Sequence, residues 1–137
     1  MKNESFAEED ITISKDKSLL QPDRIFQMLG KSYWANHRPQ EVIRKSMENS
    51  VCFGVYCNGL QVGFARVITD FATTYYLCDV IIDEEYRGHG LGKMMIDTIV
   101  NDEELKPLYA MLVTKDAHGL YEHYGFLRDG NKFMSKR

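Results

Sequence analysis

The chain has 137 residues, 44% of them hydrophobic and 27% charged, and carries a formal net charge of -3. That length suits a single core and a single domain over 1–137, and the balance excludes a disordered, fibrous or strongly basic nucleic-acid-binding chain. No apolar run reaches the roughly 20 residues of a membrane span, and the polar, acidic start from Met1 to Asp10 is unlike a leader peptide. A cytoplasmic protein with no membrane or nucleic-acid partner is therefore expected.

In chain order, the alternation of Ile11 and Ile13 with polar residues predicts a short first strand. Pro22-Asp23 opens a helix that carries Ile25, Phe26, Met28 and Leu29 and ends near Gly30. A second helix follows Pro39, with Val42, Ile43 and Met47 on its apolar side. The intervening Lys31 to Arg38 reads as an aromatic and polar loop. Two strand-like runs, Val51 to Tyr56 and Leu60 to Thr69, flank Asn58-Gly59, whose tolerance of positive φ predicts a hairpin. After a turn at Asp70 to Thr74 comes a third long strand, Tyr75 to Ile82, so these strands run antiparallel in succession. Leu91, Met94, Met95, Thr98 and Ile99 recur at helical spacing, with both methionines in the core. Tyr109 to Val113 is expected as a buried strand parallel to the one before that helix, His118 to Tyr124 as a short helix closed by Gly125. A last hairpin is expected around Asp129-Gly130, pairing Phe126-Leu127 with Lys132-Phe133-Met134. Of the three cysteines, Cys52 and Cys57 fall on opposite faces of one strand, and none has metal-ligand spacing, so neither a disulfide nor a metal site is expected.

The most informative stretch is Ile82-Asp83-Glu84-Glu85-Tyr86-Arg87-Gly88-His89-Gly90-Leu91-Gly92-Lys93, a strand that runs through glycines into a helix. Such a junction converges backbone N–H groups on an anion, with Arg87 and Lys93 adding charge. A dinucleotide fingerprint would need a glycine where Lys93 stands. A triphosphate loop would need Ser or Thr where Met94 stands, and one more residue between Gly88 and Gly92. The remaining pattern, Arg87 with Gly90 and Gly92, resembles the R/Q-x-x-G-x-G/A pyrophosphate signature of the GNAT superfamily of N-acetyltransferases. Downstream, Leu120-Tyr121-Glu122-His123-Tyr124-Gly125-Phe126 is similar to that family's L-Y-E-x-x-G-F stretch, while Glu84 departs from its common proline.

The resemblance implies an α+β fold with a mixed, mostly antiparallel central sheet of about six to seven strands and helices on both faces. It implies acetyl-CoA as co-substrate, held by Arg87, Gly88, His89, Gly90, Leu91, Gly92 and Lys93, with main-chain groups of Val80 and Ile82 pairing with the pantetheine arm like an added strand. The reaction would be direct attack of a neutral amine on the acetyl thioester, with Tyr121 protonating the departing thiolate. Arg66 and Asp79 should lie nearly opposite one another across the Asp70–Thr74 turn. A cross-strand ion pair is the first reading of them, with an acceptor-site role for Arg66 and removal of an amine proton by Asp79 the second. Trp34, His37 and Arg38 lie where the family builds part of the acceptor wall. A small-molecule or peptide amine is the expected partner, and a monomer or homodimer the expected state. The rival readings are a non-catalytic acyl-CoA-binding module and transfer of another short acyl chain.

Overall fold

The computed structural model of the protein describes residues 10–137, so all of the acidic start except Asp10 lies outside the described residues. Strands β1 (Ile11–Ser14), β2 (Val51–Cys57), β3 (Leu60–Thr69), β4 (Thr74–Ile82) and β5 (Tyr109–Leu112) form one sheet in that order. The first four pair antiparallel and β5 joins β4 in parallel. Helices α1 (Pro22–Gly30) and α2 (Gln40–Glu48) precede β2, α3 (Leu91–Val100) makes the crossover from β4 to β5, and α4 (His118–Glu122) follows β5.

The sheet divides two cores. On one face Ile25, Met28, Leu29, Ile43 and Met47 of α1 and α2 pack on Cys52, Phe64 and Ile81. On the other, Leu91, Met95, Ile96 and Ile99 of α3 pack with Tyr121 on Phe53, Val55, Val67 and Leu77. Cys52 and Cys57 belong to different cores, as their odd spacing requires. A buried Gln61 ties α1 to the sheet: its Oε1 accepts from the Gln21 amide at 2.8 Å and its Nε2 donates to the Gly63 carbonyl at 3.0 Å. Arg24 of α1 then donates to the Gln61 carbonyl at 2.8 Å and to Asp83 at 2.9 Å, which anchors the chain where it leaves β4.

Four expectations need correction. The sheet has five strands, because the hairpin proposed over Phe126–Met134 does not form. Its turn closes through a 3.4 Å bond from the Lys132 amide to the Asp129 carbonyl, but the arms stay irregular, with Leu127, Phe133 and Met134 exposed. Arms this short have little stability without a ladder to a neighbouring strand. Strand β5 is buried on one face only, since Tyr109, Met111 and Val113 face away from α3 and remain exposed. On α2, Ile43 and Met47, one turn apart, are buried, whereas Val42 lies about 100° around the helix and is exposed. On α3, Met95 is fully buried and Met94 only partly, because Ile96 takes the neighbouring core position.

Gly63 of β3 is needed where it stands. A Cβ there would lie 2.7 Å from Ile82 Cδ1 and 2.9 Å from Val55 Cγ2. We expect Gly63→Ala to destabilise the protein by about 1–3 kcal/mol, read as a lower midpoint of urea unfolding with an unchanged slope.

Candidate active site

Strand β4 is regular up to Leu77, where its pairing with β5 ends at Leu112. On the other side the register steps from Arg66 opposite Cys78 to Phe64 opposite Ile81, so that Asp79 and Val80 face the single residue Ala65. This is a bulge, and Asp79 occupies its left-handed position at φ 54. Asp79 and Val80 consequently have no register partner on either side, and from Cys78 to Ile82 the edge of β4 toward β5 lies open.

A left-handed non-glycine residue inside a strand is costly unless its surroundings hold it. Asp79 is 5% exposed, and its carboxylate accepts from three side chains. Arg66 Nε donates at 2.9 Å, Trp34 Nε1 at 3.0 Å, and Arg38 Nη1 reaches both oxygens at 2.9 and 3.1 Å. Arg66 also donates to Ser50 Oγ at 3.1 Å. The ion pair expected between Arg66 and Asp79 is present, although the bulge makes Cys78 the direct cross-strand partner. Trp34 and Arg38 come from the loop between α1 and α2, so one carboxylate fastens that loop to the sheet. His37, on the same loop, is exposed and takes no part in the cluster. The loop also reaches across the open edge: Tyr33 packs edge-on against Trp34, and Lys115, beyond β5, lies 5.3 Å from the Tyr33 ring centre.

At the other end of the open edge, Asp83 caps a short turn by accepting from the Glu85 amide at 2.9 Å, and Arg87 Nε donates to the Ile82 carbonyl at 3.0 Å. Gly88 and Gly90 have φ of 87 and 77, and nothing lies within 4 Å of where their Cβ atoms would be. Gly90 is the residue before α3, whose first bond inward runs from the Met94 amide to the Gly90 carbonyl at 3.0 Å. The amides of Leu91, Gly92 and Lys93 therefore have no acceptor within the helix and, with its dipole, suit an anion. Val80 and Ile82 are half-buried on the α3 face, His89 is half-buried and Lys93 is exposed. A shallow pocket of about 110 Å³, lined in part by Arg24, Lys31, Ile82, Asp83 and Arg87, opens beside this loop.

Helix α4 brings Tyr121 to the α3 face, in the same core as Leu77, Val80, Ile82 and Leu91. Its five residues end in a tight cap, with the Phe126 amide donating to the Tyr121 carbonyl and the Gly125 amide to the Glu122 carbonyl, both at 3.2 Å. Gly125 takes φ 91 to make this geometry, and the Phe126 ring packs edge-on to Tyr121 at 5.9 Å. Among the described residues the Tyr121 hydroxyl has no partner, yet it is not sealed from solvent. Burial pushes its pKa up to about 12. Tyr124, in contrast, commits its hydroxyl to the Lys93 carbonyl at 3.1 Å. Burial likewise pushes the thiols of Cys52 and Cys78 up to about 11, so neither is a thiolate at neutral pH. Among the described residues, no three of His, Cys, Asp and Glu gather as a metal-binding group, and no helix is long and apolar enough to cross a membrane.

The structure thus brings Trp34, Arg66 and Asp79 together and places Val80, Ile82 and the glycine loop along one open strand edge, with Tyr121 in the core on the α3 face. Sequence reasoning assigned Arg38 to the loop but not to Asp79, and it missed Ser50 and Lys115. The only linear signal was a charged residue inside an apolar strand, which demands buried partners without saying where they come from.

The model of the acetyltransferase (GNAT) domain family matches residues 48–128. A proposed acetyltransferase from Gibberella zeae is 30% identical over 154 residues, covering 96% of this chain and 87% of its own. Among solved structures, a proposed acetyltransferase of the GNAT family from Xanthomonas campestris is 37% identical, with a TM-score of 0.88 over 93% of this chain and 92% of that one. The ribosomal-protein-S18-alanine N-acetyltransferase of Escherichia coli shares the fold at 20% identity, with a TM-score of 0.67 over 84% of this chain and 76% of that one.

The ion-pair cluster is directly testable. In a double-mutant cycle of Arg66→Met and Asp79→Asn, the two effects on unfolding free energy should be non-additive by about 1–3 kcal/mol. Additivity would mean that the two groups do not sense each other in the folded protein.

Proposed function

The chain belongs to the GNAT family and is an enzyme of the GNAT N-acetyltransferase type, and from that premise we propose that it moves an acetyl group from acetyl-CoA to a primary amine by direct attack. The observation that carries this reading is the open edge of β4, which has the glycine loop at one end and the Asp79 bulge at the other, with Tyr121 in the core on the α3 face of the same sheet. In this reading the whole chain acts as one catalytic domain.

The residues fit acetyl-CoA. Free amides at the start of α3, the open side of Gly88 and Gly90, and the cations Arg87 and Lys93 suit a pyrophosphate. The unpaired stretch from Cys78 to Ile82 suits an amide-bearing arm that adds to the sheet edge, with Val80 and Ile82 supplying main-chain groups. When bound, acetyl-CoA supplies an activated acyl carbon whose C–S bond breaks as a new C–N bond forms.

Positioning is the main work of the protein here. The bulge frees the peptide groups of Asp79 and Val80 from the ladder, so that an N–H is available to a developing oxyanion. Asp79 has both oxygens engaged by guanidinium and indole donors, and its first role in this reading is to hold the bulge. Removal of the amine proton falls to water, with Asp79 as the alternative acceptor. Tyr121 donates the proton to the departing thiolate: its raised pKa keeps the phenol protonated at neutral pH, and its hydroxyl is not engaged by another protein group. The high thiol pKa values of Cys52 and Cys78 favour direct attack over an acyl-enzyme.

Two experiments test the reading. Saturating acetyl-CoA should raise the melting temperature, since a ligand at 100 times its dissociation constant adds about 2.7 kcal/mol to a state that alone binds it. Gly90→Val should abolish that shift, because a β-branched residue cannot readily adopt the left-handed conformation required there. A shift with NAD or ATP but none with acetyl-CoA refutes the cofactor assignment.

Tyr121→Phe keeps the ring in its core and removes only the hydroxyl. It should lower kcat by roughly 10²–10⁴-fold with acetyl-CoA affinity retained. With a tyrosine pKa of about 12, the basic limb of the wild-type kcat profile should not break below pH 10 on account of this group. An unchanged kcat, measured where chemistry limits turnover, assigns the proton to another donor.

A further inference from the structure

The charge around Asp79 does not balance, and the imbalance lies beside the bulge. Arg38 and Arg66 both pair with the one carboxylate of Asp79, which leaves the cluster with an excess of one positive charge. The two guanidinium groups also have capacity to spare. Arg38 uses only Nη1, and Arg66 uses Nε and Nη1, so among the described residues Arg38 Nε and Nη2 and Arg66 Nη2 have no acceptor. No buried atom among them is left orphaned, so these donors retain access from outside the protein. The Arg38 side chain is 26% exposed, which makes it the more accessible of the two.

We propose that the amine acceptor carries a carboxylate a few bonds from its nitrogen, as an α-amino acid does, and that Arg38, supported by Arg66, binds that carboxylate. The inference rests on the transferase reading above and narrows its acceptor to one chemical class. A partly desolvated guanidinium that shares its one anion with a second guanidinium and keeps N–H groups to spare selects a planar, two-oxygen anion, because it can meet both oxygens at once. The guanidinium groups are bonded to the side chain of the bulge residue itself, so the anion they hold lies close to the acyl carbon that the bulge addresses. A short spacing between carboxylate and amine follows. The same positive excess disfavours a second cation in the site, which counts against polyamines and lysine side chains. It also favours the neutral form of the attacking amine. In the reaction the amine nitrogen forms the C–N bond, the C–S bond breaks, the amine loses a proton and the CoA sulfur gains one.

The test compares acceptors that differ only in the carboxylate. Initial rates of CoA thiol release are measured for phenylalanine against 2-phenylethylamine, histidine against histamine, and leucine against 3-methylbutylamine, each corrected for the fraction of neutral amine. At least one amino acid should exceed its decarboxylated partner in kcat/KM by roughly 10- to 10²-fold. Arg38→Gln should bring that ratio close to one, chiefly through KM, and Arg38→Lys should restore part of it.

Because Arg38 also fastens the loop, the wild-type protein provides an independent measurement. A carboxylate without an amine, such as 3-phenylpropionate, should compete with the acceptor, and the corresponding alcohol should not. Decarboxylated amines that match or outperform the amino acids, a ratio unchanged in Arg38→Gln, or equal inhibition by the acid and the alcohol would each overturn the proposal while leaving the transferase reading intact. No thiol release with any member of either series, in protein whose melting temperature acetyl-CoA raises, would overturn this inference and leave the transferase reading, which names no acceptor, to be tested with other amines.

Discussion

A single buried carboxylate determines the shape of the working part of this molecule. Asp79 stands in a left-handed conformation in the middle of a strand and is almost wholly removed from water. Both features are unfavourable on their own: the backbone conformation costs of order 1–3 kcal/mol, and an unpaired buried charge costs more. They are tolerated together because the same carboxylate receives Arg66 from the neighbouring strand and Trp34 and Arg38 from a loop 41 to 45 residues earlier in the chain. The bulge aims the carboxylate at its donors, and the donors hold the bulge. The end of the β4–β5 ladder, the loop folded over the open edge and the guanidinium groups beside that edge all depend on this mutual support.

The two cores have distinct positions relative to the chemistry. The α3 core holds Tyr121 and the start of the glycine loop, while the α1–α2 core supports the loop that bears Trp34 and Arg38. The open stretch of β4 is the seam between them. The two faces of the sheet are thus each stabilised by their own packing.

Much of the architecture was legible in the sequence because local rules agreed with the final fold. Asn58-Gly59 could hardly be other than a hairpin turn, and the spacing of Leu91, Met95 and Ile99 leaves one helical face for the core. Gly90 was readable as the junction into α3, because the chain entering that helix adopts a positive φ that glycine takes without strain. What escaped the sequence depends on distance along the chain or on a missing partner. Nothing local connects Arg38 with Asp79. The terminal hairpin had the right turn residues, but turn chemistry alone does not build strands that lack a neighbour. The apolar run Tyr109 to Val113 suggests a buried strand, whereas in the fold Ala110 and Leu112 pack on the core and Tyr109, Met111 and Val113 are exposed.

The cap of α4 has a consequence for how functional damage in this protein should be interpreted. A helix of five residues is too short to persist by its own hydrogen bonding, so the direction of the Tyr121 phenol depends on the reversal of the chain just after it. That reversal needs the positive φ of Gly125, and it is steadied by the ring of Phe126. Neither Gly125 nor Phe126 presents a group able to move a proton. Under the reading proposed for Tyr121, substitutions at either would resemble loss of the phenol itself in a survey of activity, because they act as the hinge pin and the stop of a lever whose tip is a single oxygen atom.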